Sequence, residues 1–457
     1  MPTFVVCALA SLTTLSACSS GGKSDGATTT AASAPIGTTT TSAPPADSAV
    51  TWTNCGDIEC GVLHVPSTHR QPGSGPINVG VYSRAAVTPR VGTLVLLPDY
   101  DGPTARDLAT SPTVHVGAAA RQFDVLAVSP RGFFDSTPLP CSLDAPYIAP
   151  ESDASAASAA CRSNESLEAS SYGVIESVAD LETLVTSLRT GPVSVVGWGR
   201  GATIAATWKL MHPTSITSMV LDSPEDPGVS PIRVAAMNRT AEDAAVNAVM
   251  AWCTAHISCP LFENAGKRVG LVAERIRDGR ANAGATIATF RLAFLRAVAT
   301  GDYGALFQAL ALAENDDYAR LVEFADVKAP GAAGRVAARI AGTCSDLSAT
   351  DAEEIIAADA GFEETLFRIG SGDTFPRVCI GMPESADPLG FVTAVDGARG
   401  SRVQVFVSAT DGVTSPVMVK AFAKRAAWKF RAVKANGHLV VGRDRTTTEW
   451  VSNFLLG

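Results

Sequence analysis

Three features of the 457-residue chain predict an α/β fold with a mostly parallel sheet, helices on both faces and an inserted helical cap. Residues 193–203 run from a β-branched stretch through Gly197, Gly199 and Gly201 into an alanine-rich helical pattern, which reads as strand, sharp turn and helix. A helical face at residues 176–188 precedes this unit and an apolar strand at 219–221 follows it, and such alternation implies parallel strands with crossover helices. From Pro224 the strand signal is absent for about 170 residues of helical pattern, and it returns at residues 403–407.

Taken in order, residues 1–17 form an apolar run too short to span a bilayer, and it ends in Leu15-Ser16-Ala17-Cys18. This resembles a bacterial lipoprotein signal, cleaved before a cysteine that then carries lipid, which predicts a membrane anchor at Cys18 and a place on the outer side of the bacterial cytoplasmic membrane. Residues 18–48 are rich in Thr, Ser, Ala, Gly and Pro and too poor in large apolar side chains to bury a core, so they read as a disordered tether. About 30 residues fully extended would reach ~100 Å.

Residues 49–223 read as the first part of the core. A compact segment at 52–66 is followed by an alternating strand at 77–82, a buried strand at 92–97, and another at 123–128 that enters the turn Pro130-Arg131-Gly132. Residues 224–400 read as the cap, with helices at 240–251, 269–277 and 290–298. Residues 401–457 complete the core with a strand at 403–407, a helix at 416–427, a short strand at 430–433 and a last helix at 446–456.

Composition excludes some function classes. A net charge of −9 without a basic run argues against nucleic acid as a partner. Beyond Cys18 lie eight cysteines, an even number in a chain that reads as exported, and this favours disulfides over thiol chemistry. Eight cysteines allow 105 connectivities. The short spacings suggest Cys55 with Cys60, Cys141 with Cys161, Cys253 with Cys259 and Cys344 with Cys379. No C-x-x-C pair and no histidine at ligand spacing supports a metal site, so neither metal nor cofactor is expected.

Two mechanisms use the 197–203 turn. Gly197-Trp198-Gly199-Arg200-Gly201-Ala202 fits the dinucleotide pattern G-x-G-x-x-A, with Asp222 about 20 residues on where a ribose-binding acid belongs, which would make the chain an oxidoreductase. It also fits the nucleophile elbow G-x-S-x-G except that Gly199 stands at the serine.

Residues on both sides favour the elbow. Trp52, Cys55, Glu59-Cys60-Gly61 and Val65-Pro66, then Phe123-Asp124-Val125 with Pro130-Arg131-Gly132 and Ser136-Thr137-Pro138 through Cys141, resemble motifs of the secreted tripeptidyl-aminopeptidase-like, proline-iminopeptidase-related branch of the α/β-hydrolase fold. So do Asp180-Leu181-Glu182, Met219-Val220-Leu221-Asp222 with Asp226-Pro227, Trp252-Cys253 with Cys259-Pro260-Leu261, Cys344-Ser345-Asp346 and Cys379. Asp411-Gly412-Val413-Thr414-Ser415-Pro416 and Gly437-His438 resemble that branch's D-P-x-T-P and G-H-G segments. The resemblance implies an α/β-hydrolase fold with residue 199 at the nucleophile position, Asp411 as the acid and His438 as the base.

Three departures fall on the chemistry. Glycine at 199 has no side chain to attack or be acylated. The G-G-P-G loop of the resemblance, whose backbone would join that of Arg200 in facing an oxyanion, is Asp99-Tyr100-Asp101-Gly102-Pro103, and an ionised carboxylate there opposes the charge the loop stabilises. The aspartate of its D-P-R-G motif is Ser129.

The expected protein is therefore a catalytically degenerate α/β-hydrolase-fold lipoprotein that binds a peptide-like or acyl ligand or an envelope protein. The alternative is a residual hydrolase in which Asp411 and His438 act through water. Asp99, Asp101, Asp411 and His438 are expected at one mouth, and a serine introduced at 199 is expected within reach of Asp411 and His438 but with poor turnover.

Overall fold

The computed structural model describes residues 50–139, 169–325, 332–348, 353–354 and 378–457, apart from 88, 134, 381, 383, 384, 386, 391, 400 and 401. The predicted signal, Cys18 and the tether lie outside these residues. Cys141 and Cys161 also lie outside them, so of the four expected disulfides only the other three fall within the described residues. Ala46–Gly457 form one compact unit.

Among the described residues the sheet has nine strands: β1 Val50–Asn54, β2 Glu59–Pro66, β3 Pro76–Arg84, β4 Gly92–Leu97, β5 Phe123–Ser129, β6 Val193–Trp198, β7 Ile216–Asp222, β8 Val403–Ser408 and β9 Lys429–Val433. Their order is β1-β2-β3-β5-β4-β6-β7-β8-β9. β1, β2, β3 and β5 pair antiparallel. From β5 through β4, β6, β7 and β8 to β9 the pairing is parallel. Residues 52–66, read as a compact segment, are thus the two outermost strands, with the Cys55–Cys60 disulfide at their turn.

The core helices are α1 Ala105–Thr110, α2 Pro112–Val116, α3 Val174–Ser187 and α4 Gly199–Met211, joined after the insertion by α11 Pro416–Arg425 and α12 Arg445–Leu456. The central strands are buried on both faces, as parallel strands between helix layers must be. Alternate side chains sort into two cores: Val95 and Leu97 pack with residues of α3, α4 and α11, and Leu94 and Leu96 with residues of α1, α2 and α12.

The insertion holds α5 Pro231–Ala255, α6 Ala265–Arg277, α7 Ile287–Thr300, α8 Tyr303–Glu314, α9 Ala319–Ala325 and α10 Ala332–Cys344. α5 to α9 enclose a core of their own around Val249, Phe290, Phe294, Phe307 and Leu310. α10 belongs instead to the sheet, where Ile340 and Ala341 join the α3–α4 core. Cys253–Cys259 closes the turn after α5, and Cys344–Cys379 ties the end of α10 to a segment 35 residues on. No described helix is long and apolar enough to cross a membrane.

Arg131 of the Pro130-Arg131-Gly132 turn is a buried strut. Its guanidinium donates to both Asp180 oxygens on α3 and to the carbonyls of Pro66, Ser67 and Ser171. That network binds the antiparallel strands to the helix layer before the site strands begin.

Candidate active site

Strand order reverses where β4 lies between β5 and β6, and in open α/β sheets that switch point opens a crevice beyond the carboxyl ends of the strands. Leu97 of β4 pairs with Gly197 of β6, so the residues two positions further on, Asp99 and Gly199, face each other across the crevice. β7 contributes Asp222, β8 leads to Asp411, and β9 leads to His438.

The elbow is formed. Gly199 opens α4 with φ +46°, the left-handed conformation that glycine adopts without steric cost. Gly201 meets the backbone of β4 so closely that an added Cβ would lie under 3.0 Å from the Leu97 and Pro98 carbonyl oxygens. These glycines serve close packing inside the protein.

The place of the missing side chain is taken. A Cβ built on Gly199 would fall under 3.0 Å from both Oδ1 and Cγ of Asp99. The Arg200 backbone N–H, expected from the resemblance to face an oxyanion, donates to Asp99 Oδ1 at 2.8 Å. Asp99 Oδ2 faces His438 Nε2 at 3.7 Å, an ion-pair separation longer than a hydrogen bond. His438 Nδ1 meets Asp411 Oδ2 at 2.8 Å. A serine introduced at 199, expected within reach of Asp411 and His438, would thus first have to displace the Asp99 carboxylate that fills the space it needs.

Each member of this Asp–His–Asp row is fixed from behind. Asp411 Oδ1 accepts the N–H groups of Val413 and Thr414 at 2.9 Å, and its Oδ2 accepts the Ser223 hydroxyl at 2.9 Å. Asp222, fully buried, accepts the N–H groups of Val440 and Val441 and so pins the chain just past His438. The His438 N–H donates to the Ala299 carbonyl at the end of α7, which ties the loop to the cap.

The charges follow from these contacts. Burial alone would discharge His438, but Asp411 and then Asp99 outweigh it and hold the imidazole protonated well above the usual histidine range. Burial likewise pushes the Asp99 carboxyl up, yet its contact with His438, the Arg200 N–H and the charge of Arg339 bring it down to about 2. Burial lifts Asp222 to about 6 against the two N–H groups it accepts. The centre is an imidazolium between two carboxylates.

α10 closes over it. The Arg200 guanidinium pairs with Asp346 at 2.5 Å and donates to the Gly342 carbonyl at 3.1 Å. Tyr100 stacks on Phe133 with ring centroids 4.7 Å apart and lies beneath Arg339. Asp101, expected at the same mouth as Asp99, Asp411 and His438, pairs with Arg339 and lies 3.9 Å from Arg335, both on α10, while its N–H lies 3.4 Å from Asp99 Oδ2. No local sequence pattern announces these arginine partners.

The dinucleotide reading is likewise corrected. Asp222 is spent on Val440 and Val441, and the glycines at 197, 199 and 201 accommodate protein atoms where a pyrophosphate would have to approach. No group of three or more His, Cys, Asp or Glu among the described residues is placed to hold a metal ion. Asp346 and Arg339 join the site without a sequence signal of their own: Asp346 lies within a recognisable motif, but its partner Arg200 sits on α4, brought to it only by the fold.

The fold and the elbow define a class, and the sequence profile of the alpha/beta hydrolase fold family matches residues 106–441. The chain belongs to that family. Among curated proteins it is similar to carboxylesterase B of Mycobacterium tuberculosis, 24% identical in an alignment 241 residues long that covers 46% of this chain and 46% of that protein. The chain thus spans about half the length of the curated relatives it matches. Similar solved structures include proline iminopeptidase of Mycobacterium smegmatis, 13% identical over 86% of this chain and 97% of that one, with a TM-score of 0.42. An α/β hydrolase of Novosphingobium aromaticivorans is 13% identical over 88% of this chain and 99% of that one, with a TM-score of 0.40.

Proposed function

We propose that this chain is a non-hydrolytic member of the family, exported and anchored through lipid on Cys18, that serves the cell envelope by binding a peptide-like or acyl ligand or a protein partner. The observation that carries the reading is the Asp99 carboxylate lying where a nucleophilic side chain would begin, with its Oδ1 on the Arg200 N–H. An acyl-transfer site needs a nucleophile and an open oxyanion hole, and here one carboxylate removes the room for both. Because Asp99, Gly199 and His438 are buried, the former reaction centre supplies rigidity, and recognition falls to the cap and the loops around it.

The wild-type protein is expected to remain unlabelled by a fluorophosphonate probe; stoichiometric labelling would overturn the reading. The wild type is expected to incorporate labelled fatty acid and a Cys18→Ala variant is not, and equal incorporation or none in either would remove the lipid anchor from the proposal. The competing reading, hydrolysis by water activated at His438, is favoured by the intact His438–Asp411 contact at 2.8 Å. A general base must first be deprotonated, so with His438 held protonated that activity would emerge only on the alkaline side, above the raised pKa.

A further inference from the structure

We infer that the elbow pocket is a monocarboxylate site whose resident ligand is the protein's own Asp99, and that removing this side chain's carboxylate opens the site to a small free carboxylate such as formate. The inference rests on the non-hydrolytic reading above and adds the ligand class of the site.

The two oxygens of Asp99 are met by two different groups: the Arg200 N–H at 2.8 Å on Oδ1 and the His438 imidazole at 3.7 Å on Oδ2. Oδ2 also lies 3.4 Å from the Asp101 N–H. The Arg200 N–H belongs to the first turn of α4, whose free N–H groups and dipole favour an anion. His438 is 5% exposed and held in place from the far side by Asp411, so it stays aimed into the pocket whether or not Asp99 is charged. The space exists because residue 199 has no Cβ.

The chemistry limits the ligand to a small monoanion. Deleting the Asp99 carboxylate vacates a volume of one carboxyl group. The buried Asp411 lies across His438 and the half-buried Glu225 already feels the charge of Asp99, and their presence disfavours a second negative charge. In the wild type the site is silent toward solutes, because Asp99 is tethered. Its neighbours Tyr100 and Asp101 are held by Phe133, Arg339 and Arg335, so its effective concentration exceeds that of any dilute anion.

The test is thermal unfolding of Asp99→Ala titrated with sodium formate against sodium chloride at equal ionic strength. A saturable rise in Tm with formate over chloride is expected for Asp99→Ala. None is expected for the wild type or for Asp99→Asn, whose amide still fills the pocket. An Asp99→Ala protein indifferent to formate, or an equal response in all three proteins, would overturn the inference. If Asp99→Ala does not fold in chloride, the readout becomes refolding yield, with recovery in formate expected and failure in both salts counting against it. Fluorophosphonate labelling of the wild type would instead sink the non-hydrolytic reading and leave the formate result standing.

Discussion

Gly199→Ser is expected to lower stability and bring no hydrolysis, whereas Gly199→Ser combined with Asp99→Gly is expected to become reactive toward fluorophosphonates. In the single variant the new side chain and the Asp99 carboxylate compete for one space. Expelling the carboxylate forfeits its hydrogen bond to the Arg200 N–H, a charge-assisted bond of about 1.5–3 kcal/mol, and forcing the two together costs a similar amount in overpacking. The left-handed backbone at 199 adds about 1–2 kcal/mol of strain for any residue with a Cβ. A loss of roughly 3 kcal/mol in urea unfolding is the central expectation.

The double variant removes the competitor, frees the Arg200 N–H and leaves His438 backed by Asp411 alone, which lowers its pKa toward a usable base. Since a triad without its serine loses about 10⁴–10⁶-fold in rate, recovery of even a small part gives an ester hydrolysis rate about 10²-fold above wild type. A folded double variant that neither labels nor hydrolyses would mean that His438 and Asp411 do not stand in reactive order.

Arg200→Ala is expected to cost about 3–5 kcal/mol of stability, measured by urea unfolding. Its guanidinium and the Asp346 carboxylate have side chains only 7% and 3% exposed, so truncating one strands the other in a low-dielectric interior. Glu225, already pushed up by burial and eased by Arg200, loses that relief at the same time. Arg200→Met with Asp346→Asn is expected to recover much of the loss. The methionine refills the volume, and the asparagine oxygen continues to accept the Val174 N–H that Asp346 now takes at 2.9 Å. A loss below about 1 kcal/mol for Arg200→Ala would show that the pair is solvated and that α10 does not seal the elbow.

Much of the architecture is legible in the sequence because it rests on local patterns. The β-branched run at 193–196, the glycines after it and the helical face beginning near Glu176 dictate their own backbone, and the observed β6, α4 and α3 follow them closely. α8 and α9 carry no such signal. In α8 the exposed positions include Ala305 and Leu312, so no polar face marks its period, and α9 is only 7 residues long. β1 is obscured for the opposite reason: it is an edge strand with most of its residues at least partly exposed.

The sequence by itself determined that this protein has the elbow of its family and no hydroxyl at it, since the identity of residue 199 is a covalent fact independent of folding. It also displayed Asp99 in the loop after β4, and charge alone marked that residue as adverse to an oxyanion. Only the tertiary structure decided where that carboxylate goes. The pairing of Leu97 with Gly197 sets Asp99 opposite Gly199, and the loop from β9 brings a protonated His438 to its other side. Those partners are more than 100 residues apart in the chain, and their meeting is fixed by sheet register and burial, which no single stretch of sequence carries.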